Sequence, residues 1–231
     1  MSVGDGRATE TDAAVERLLR LDTCAVSDAL DKLKLGGVVS DLPQLSGSGR
    51  VAGKVVTVKL GVGSPPPGPR RHLGTTAIEA ARPGDVIVVE QRSGVEAGRW
   101  GGILTLGAKL RGIAGVIADG PVRDIDEARG HGFPIFARAC TARTARGRIV
   151  ELGTNCPITI GDVAVRPGDY VIADGSAVVF IAPENIGAVL DGAETIAARE
   201  SAMADALRAG KPITEVMGAS YEHMLKTPGK S

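Results

Sequence analysis

Aromatic residues are scarce in this chain: one tryptophan, two tyrosines and three phenylalanines, 3% of 231 residues. A surface that stacks bases needs rings, so a nucleic-acid platform is not expected. A one-sided charge is missing too. Lys plus Arg equals Asp plus Glu, 27 each, so no global field draws the chain toward nucleic acid or an anionic membrane. The three cysteines, Cys24, Cys140 and Cys156, are far apart and form no CxxC. That argues against a zinc cage or a disulfide framework and fits a reducing cytoplasm. No apolar run approaches the length of a membrane span, and the start, Met-Ser-Val-Gly-Asp-Gly-Arg, lacks the apolar core of a secretory signal. No Gly-x-Ser-x-Gly and no Walker loop occurs. The expectation is a cytoplasmic protein with no nucleic-acid or membrane partner.

What is present is aliphatic. Apolar residues make up 43% of the chain, enough for one large domain with a core of Val, Ile, Leu and Ala. A single domain over residues 1–210 is expected, with a loosely ordered tail over 211–231 and fraying at 1–8. Residues 9–20 have helical spacing, and Asp22-Thr23 reads as the cap of a helix over 24–33 that Gly36-Gly37 ends. The glycines of 47–53 superficially resemble a dinucleotide fingerprint, but they precede a strand at 54–60 rather than a helix. Residues 61–71, Gly-Val-Gly-Ser-Pro-Pro-Pro-Gly-Pro-Arg-Arg, form a loop. It is either a plain connector or a basic flap that could bring Arg70, Arg71 or His72 to an anion. A helix of about ten residues should follow.

Residues 86–137 read as strand, helix, strand, helix, strand. Residues 139–182 then break into short β runs separated by Gly-Asp and Asp-Gly turns, a β layer closing on the central sheet. Pro183 starts a helix of roughly 25 residues, stopped by Gly210-Lys211-Pro212. The fold class is therefore α/β: a central βαβαβ unit, a C-terminal β layer and a long C-terminal helix. A helix that long often packs on a neighbouring subunit.

In a βαβαβ unit, the loops after successive parallel strands open on one edge of the sheet, where ligands bind. Two such loops carry Gly101-Gly102 and Arg123-Asp124. The first lets an anion approach the amides of Gly102, Ile103 and Leu104 at a helix start. Arg123 can grip a carboxylate through two parallel hydrogen bonds. Asp124 can hold a divalent cation, which needs only one or two carboxylates when the substrate supplies other oxygens. These parts suit a 2-oxo acid and its enolate. Asp119 either orients the turn at Gly120-Pro121 or reaches the site. Lys109 and Arg111 belong to an exposed helix face, and a Schiff-base lysine would need a buried position. His131 is a turn residue and His223 lies in the tail. Trp100 is a core anchor or a pocket wall.

The run Trp100-Gly101-Gly102-Ile103-Leu104, the run Asp119-Gly120-Pro121-Val122-Arg123-Asp124 and the run Gly132-Phe133-Pro134-Ile135-Phe136-Ala137-Arg138 resemble the family of the regulator of ribonuclease E activity A. That family includes the class II 4-hydroxy-4-methyl-2-oxoglutarate/4-carboxy-4-hydroxy-2-oxoadipate aldolases. Ser27-Asp28-Ala29-Leu30, Val51-Ala52-Gly53, Pro83-Gly84-Asp85-Val86, Arg166-Pro167-Gly168-Asp169 and Ala173-Asp174 agree with it.

The resemblance implies a swivelling α/β/β core, assembled as a homotrimer or homohexamer, with the site at a subunit boundary. It implies that Arg123 binds the pyruvyl moiety, Asp124 ligates Mg²⁺ or Mn²⁺, and the amides of Ile103 and Leu104 hold the pyruvate carboxylate. Glu200, from a neighbour's long helix, is the match for an acid near the metal. The implied reaction is retro-aldol cleavage of a 4-hydroxy-2-oxo acid to pyruvate, with oxaloacetate decarboxylation beside it, through a metal-stabilised pyruvate enolate. The aldolases resembled carry an acid 21 places before the Arg, and here that place is Gly102. If the missing acid weakens the site, Asp at 102 should tighten metal binding. A non-catalytic regulator that binds a ribonuclease, and an enzyme of specialised metabolism reusing the enolate site, are the competing readings.

Overall fold

The computed structural model describes residues 12–69 and 71–218. The elements run α1 (Ala13–Leu19), α2 (Thr23–Leu33), β1 (Val38–Val39), β2 (Gln44–Ser46), β3 (Val51–Gly61), α3 (Thr75–Ala80), β4 (Val86–Gln91), α4 (Gly102–Leu110), β5 (Gly115–Val122), α5 (Ile125–Gly130), β6 (Ile135–Cys140) and β7 (Val150–Thr154). They continue with β8 (Ile158–Ile160), β9 (Val163–Val165), β10 (Tyr170–Ala173), β11 (Val178–Ile181), α6 (Ile186–Arg208) and α7 (Ile213–Val216). Residues 1–11, 70 and 219–231, which include Arg70 and His223, lie outside the described residues.

Strands β3, β4, β5 and β6 are parallel neighbours in that order. Burial is nearly continuous along β3, β4 and β5, as expected of strands covered on both faces, while β6 is buried over Ile135–Ala137 and exposed beyond. The first residues of β3 pair antiparallel with β10, which carries β11 and β1 outward, while the rest of β3 pairs with β4. Strand β2 closes the opposite edge on β6, and β7 pairs with the end of β3.

Three apolar clusters fill the layers. Helices α3, α4 and α5 cover one face, with Leu104, Ala108 and Ala128 against Ile87, Val89, Val116 and Ala118. The β8–β9 hairpin covers the other, with Ile158, Ile160 and Val165 against Val88, Ile117 and Phe136. Helices α1, α2 and α6 pack Leu18, Val26, Leu30 and Leu190 on Ile172 and Val179. Helix layer, sheet and β layer are the α/β/β arrangement that the resemblance implies.

Local chemistry explains the boundaries. Asp22 accepts the Ala25 amide at 2.8 Å and caps α2. That helix ends earlier than Gly36-Gly37, because Lys34 adopts a left-handed φ of 57° and its amide bonds to Asp31. Helix α3 has six residues rather than about ten, since Gly74 enters it late at φ 79°. Strand β5 does not stop before Gly120-Pro121: a bulge, with Gly120 at φ 147°, carries it to Val122. The tail expected to be loose from 211 opens with α7, a single turn.

Two identical turns, Arg82-Pro83-Gly84-Asp85 and Arg166-Pro167-Gly168-Asp169, lead into β4 and β10, two of the strands that pair with β3. In each, the Asp carboxylate accepts the Arg amide at 2.7 Å and Gly sits at φ 87°. Burial pushes both carboxyls above their ordinary range, only partly offset by those amides.

Candidate functional site

The stretch 98–102 runs beside 121–124. The Arg99 amide donates to the Pro121 carbonyl at 3.3 Å, and the Arg123 amide to the Trp100 carbonyl at 2.9 Å. This pairing brings the two loops into side-chain contact. Arg123 Nε donates to Asp124 Oδ1 at 3.1 Å, and Gly102 N donates to Asp124 Oδ2 at 3.1 Å. Asp124 thus sits at the positive end of α4, a placement worth about 0.3–1 kcal/mol. Its own φ is 56°, a left-handed conformation that a non-glycine residue keeps only where neighbours hold it.

Glycines clear the space. A Cβ on Gly98 would meet Arg123 Cγ at 2.8 Å, and one on Gly101 would meet Asp124 Oδ2 at 2.7 Å. A Cβ on Gly102 would fall 1.7 Å from Glu127 Oε2. The place of the side chain missing at 102 is therefore taken by a carboxylate from α5. Sequence reasoning missed Glu127. Its signal was the spacing: Glu127 stands three residues after Asp124, one helical turn along α5, so both face the same way.

Of the residues expected at the site, Gly101, Gly102, Arg123 and Asp124 are brought together. The Gly102 amide is already taken by Asp124, which leaves those of Ile103 and Leu104 for a ligand. Arg123 and Asp124 are each about one-third exposed, at 36% and 31%. Among the described residues the Arg123 Nη groups carry no hydrogen bond. Glu200, on α6, is not brought to Arg123 within the chain. Burial, with Asp22 and Asp28 nearby, pushes its carboxyl up.

Trp100 is a core anchor. It is 1% exposed, its Nε1 donates to Thr105 Oγ1 at 3.0 Å, and Gly74 lies against its ring. Asp119 orients the edge: Oδ1 accepts Arg138 Nε and Oδ2 accepts the Gly161 amide, tying β5 to the β8–β9 turn. Lys109 is exposed and donates to the His131 carbonyl at 2.6 Å, which leaves no buried amine for a Schiff base. Arg111 pairs with Glu79 on the surface, and His131 closes α5 as a turn residue. Arg71 and His72 are exposed. The base of their loop meets the site's helix, where Gly74 approaches Leu104 and is tied to Glu151 at 2.7 Å.

Among the described residues no three His, Cys, Asp or Glu side chains form a ready metal cage, and no helix is long and apolar enough to cross a membrane. A pair of carboxylates facing an open side suits a hard divalent ion that keeps part of its water.

The model of the RraA-like family, described as Aldolase/RraA, matches residues 23–180. The chain belongs to that family. Among RraA-like relatives, a putative 4-hydroxy-4-methyl-2-oxoglutarate aldolase of Halalkalibacterium halodurans is 32% identical over 206 residues, covering 85% of this chain and 91% of its own. Protein DlpA of Legionella pneumophila is 25% identical over 87% of this chain, which spans only 32% of that protein. The crystal structure of Streptomyces coelicolor RraAS2, described as an unusual member of the RNase ES inhibitor RraA protein family, superposes with a TM-score of 0.71. It is 25% identical, and the match covers 87% of this chain and 97% of that one. The RraA-like fold is thus carried by the region that builds the site.

Proposed function

We propose that this protein is a divalent-metal-dependent lyase of 2-oxo acids. The observation that carries the reading is the convergence of Arg123, Asp124 and Glu127 on the start of α4 through three glycines. The likeness to relatives named as putative aldolases supports it.

Arg123 holds the substrate through its Nη groups, while the amides of Ile103 and Leu104 receive the carboxylate next to the keto group. Asp124 and Glu127 hold Mg²⁺ or Mn²⁺, which when bound supplies Lewis-acid polarisation of the keto oxygen. Gly102 N and Arg123 Nε fix Asp124, so the carboxylate does not reorganise during reaction. In a 4-hydroxy-2-oxo acid the C4 hydroxyl gives up its proton and C4 leaves as a carbonyl compound, whereas in oxaloacetate C4 leaves as CO2; in both the electron pair of the broken C3–C4 bond forms the pyruvate enolate. Arg123 stabilises the negative charge that develops on that oxygen. A proton at C3 completes pyruvate.

The protein works as a homotrimer or homohexamer. Ile103, Leu106 and Leu110 lie on one face of α4, 82%, 38% and 78% exposed. An apolar stripe starting at the site itself fits a site at a subunit boundary, which is how Glu200 of a neighbour would approach. The test is pyruvate release from oxaloacetate with Mg²⁺ or Mn²⁺. The expected result is metal-dependent turnover that Arg123→Ala abolishes, and turnover indifferent to both would sink the reading. A regulatory reading draws on the likeness to the Streptomyces protein; retention of the host ribonuclease in a pull-down by a chain inert toward 2-oxo acids would favour it.

A further inference from the structure

Arg99 is 3% exposed, and its Nε and Nη1 are sealed from solvent without a hydrogen-bond partner. No ion pair reaches it among the described residues. The carboxylate acting on it, Asp119, has both oxygens engaged, by Arg138 and the Gly161 amide. Two guanidiniums, Arg99 and Arg138, therefore share one carboxylate, and the cluster carries an excess positive charge. Burial pushes the Arg99 guanidinium down to about 9, so it remains a cation at neutral pH.

Its position is specific. The guanidinium lies against the α-carbon of Gly120, where a Cβ would fall 1.6 Å from Nη2 and 2.2 Å from Cζ. Gly120 opens the Gly120-Pro121-Val122-Arg123 run, and the Arg99 backbone is paired with Pro121. The charge sits directly beneath the segment that presents Arg123 and Asp124.

An uncompensated buried cation does not stabilise a fold. Replacing such a group by an apolar side chain of similar volume is commonly neutral or stabilising. The site above it has a use for the charge, since Asp124, Glu127 and an anionic substrate all bring negative charge to one edge. We propose that Arg99 is a positioning residue for the anionic ligand, a buried counter-charge beneath the Gly120 bulge that raises the site's affinity for a dianionic oxo acid or its enolate. This rests on the lyase reading for the identity of the ligand, not for the role of the charge.

A unit charge about 10 Å away at an effective dielectric near 20 changes anion affinity by about tenfold. The experiment measures oxalate and pyruvate binding by calorimetry, with Mg²⁺ present, together with the melting temperature and oxaloacetate turnover, in the wild type, Arg99→Met and Arg99→Lys. Arg99→Met is expected to melt at an equal or higher temperature, to bind oxalate about tenfold more weakly, and to raise KM more than it lowers kcat. Arg99→Lys buries an amine that titrates readily beside Asp119 and Arg138, so its oxalate affinity falls as pH rises toward about 9, a range in which that of the wild type holds. A lower melting temperature in Arg99→Met, or unchanged oxalate binding, overturns the proposal and leaves the lyase reading standing. Arg99-dependent oxalate binding without turnover overturns the lyase reading and leaves the counter-charge. Absence of oxalate and pyruvate binding in the wild type overturns both.

Discussion

Gly101→Ala separates fold from function at the site. Gly101 has an extended backbone, φ −147° and ψ −176°, which alanine adopts without strain, and the loss of unfolded-state freedom favours the variant by about 0.4–1 kcal/mol. Against this, the new Cβ meets Asp124 Oδ2 at 2.7 Å, where ordinary contact begins near 3.4 Å. The carboxylate must move by about 0.7 Å, which strains the 3.1 Å bond from Gly102 N, a contact worth about 1 kcal/mol. The two stability contributions nearly cancel, so the melting temperature should stay close to that of the wild type. Function does not cancel. A displacement of that size in a positioned group costs up to about 100-fold. Mn²⁺ titration and oxaloacetate decarboxylation should both fall by one to two orders of magnitude. Unchanged metal affinity in a folded Gly101→Ala protein would falsify the assignment of Asp124.

Gly98→Ala presses on Arg123 rather than Asp124, with three aliphatic carbons of Arg123 at 2.8–3.0 Å. It should raise KM for the oxo acid about tenfold while leaving metal titration intact. Trp100→Phe loses the bond to Thr105 and should lower stability by about 1 kcal/mol in denaturant melts, with metal affinity unchanged. Burial raises the Asp174 carboxyl, but the Thr23 hydroxyl and amide, together with the Ser176 and Ala177 amides, outweigh it and hold the group below its ordinary value of 3.8. Its stabilisation is therefore complete above that value, where the unfolded chain is also ionised. It is lost as pH falls through the lower folded value. Asp174→Asn should flatten that acid-side decline in melting temperature, and an unchanged slope would count against the Thr23 link.

The elements with period were legible. The capped α2, the parallel strands and the long α6 all follow from spacing and turn residues. What escaped were elements made by pairing rather than by propensity. Strand β1 has two residues and β2 three, and they exist only because β11 and β6 offer edges. The bulge in β5 escaped for the opposite reason: Gly120-Pro121 is turn chemistry, and the ladder to β6 overrides it by slipping register. At the site, Arg123 and Asp124 were readable because their neighbours in sequence explain them. Arg99 was not, because its burial depends on Gly120, 21 residues away.

Gly102 looked like a lost acid, and the geometry changes what its replacement should do. If the missing acid weakens the site, adding Asp there should tighten metal binding. Its Cβ, however, would stand 1.7 Å from Glu127 Oε2, so Glu127 must swing out. That carboxylate is the free end of a flexible side chain, so the fold tolerates the move at modest cost, but the new acid gains its place by evicting the old one. Two carboxylates forced to share one region also repel, and one of them then favours its protonated form. Gly102→Asp alone should therefore leave metal affinity unchanged or weaken it. If Asp124 and Glu127 are the two carboxylate ligands, Glu127→Gln should weaken it about tenfold. Gly102→Asp combined with Glu127→Ala should recover most of that loss, because one acid again faces the Asp124 carboxylate. Calorimetric titration of Mn²⁺ into the three variants decides it. If Glu127→Gln binds metal like the wild type, or the double variant is no better than Glu127→Gln, the acid has not been relocated from 102 to 127.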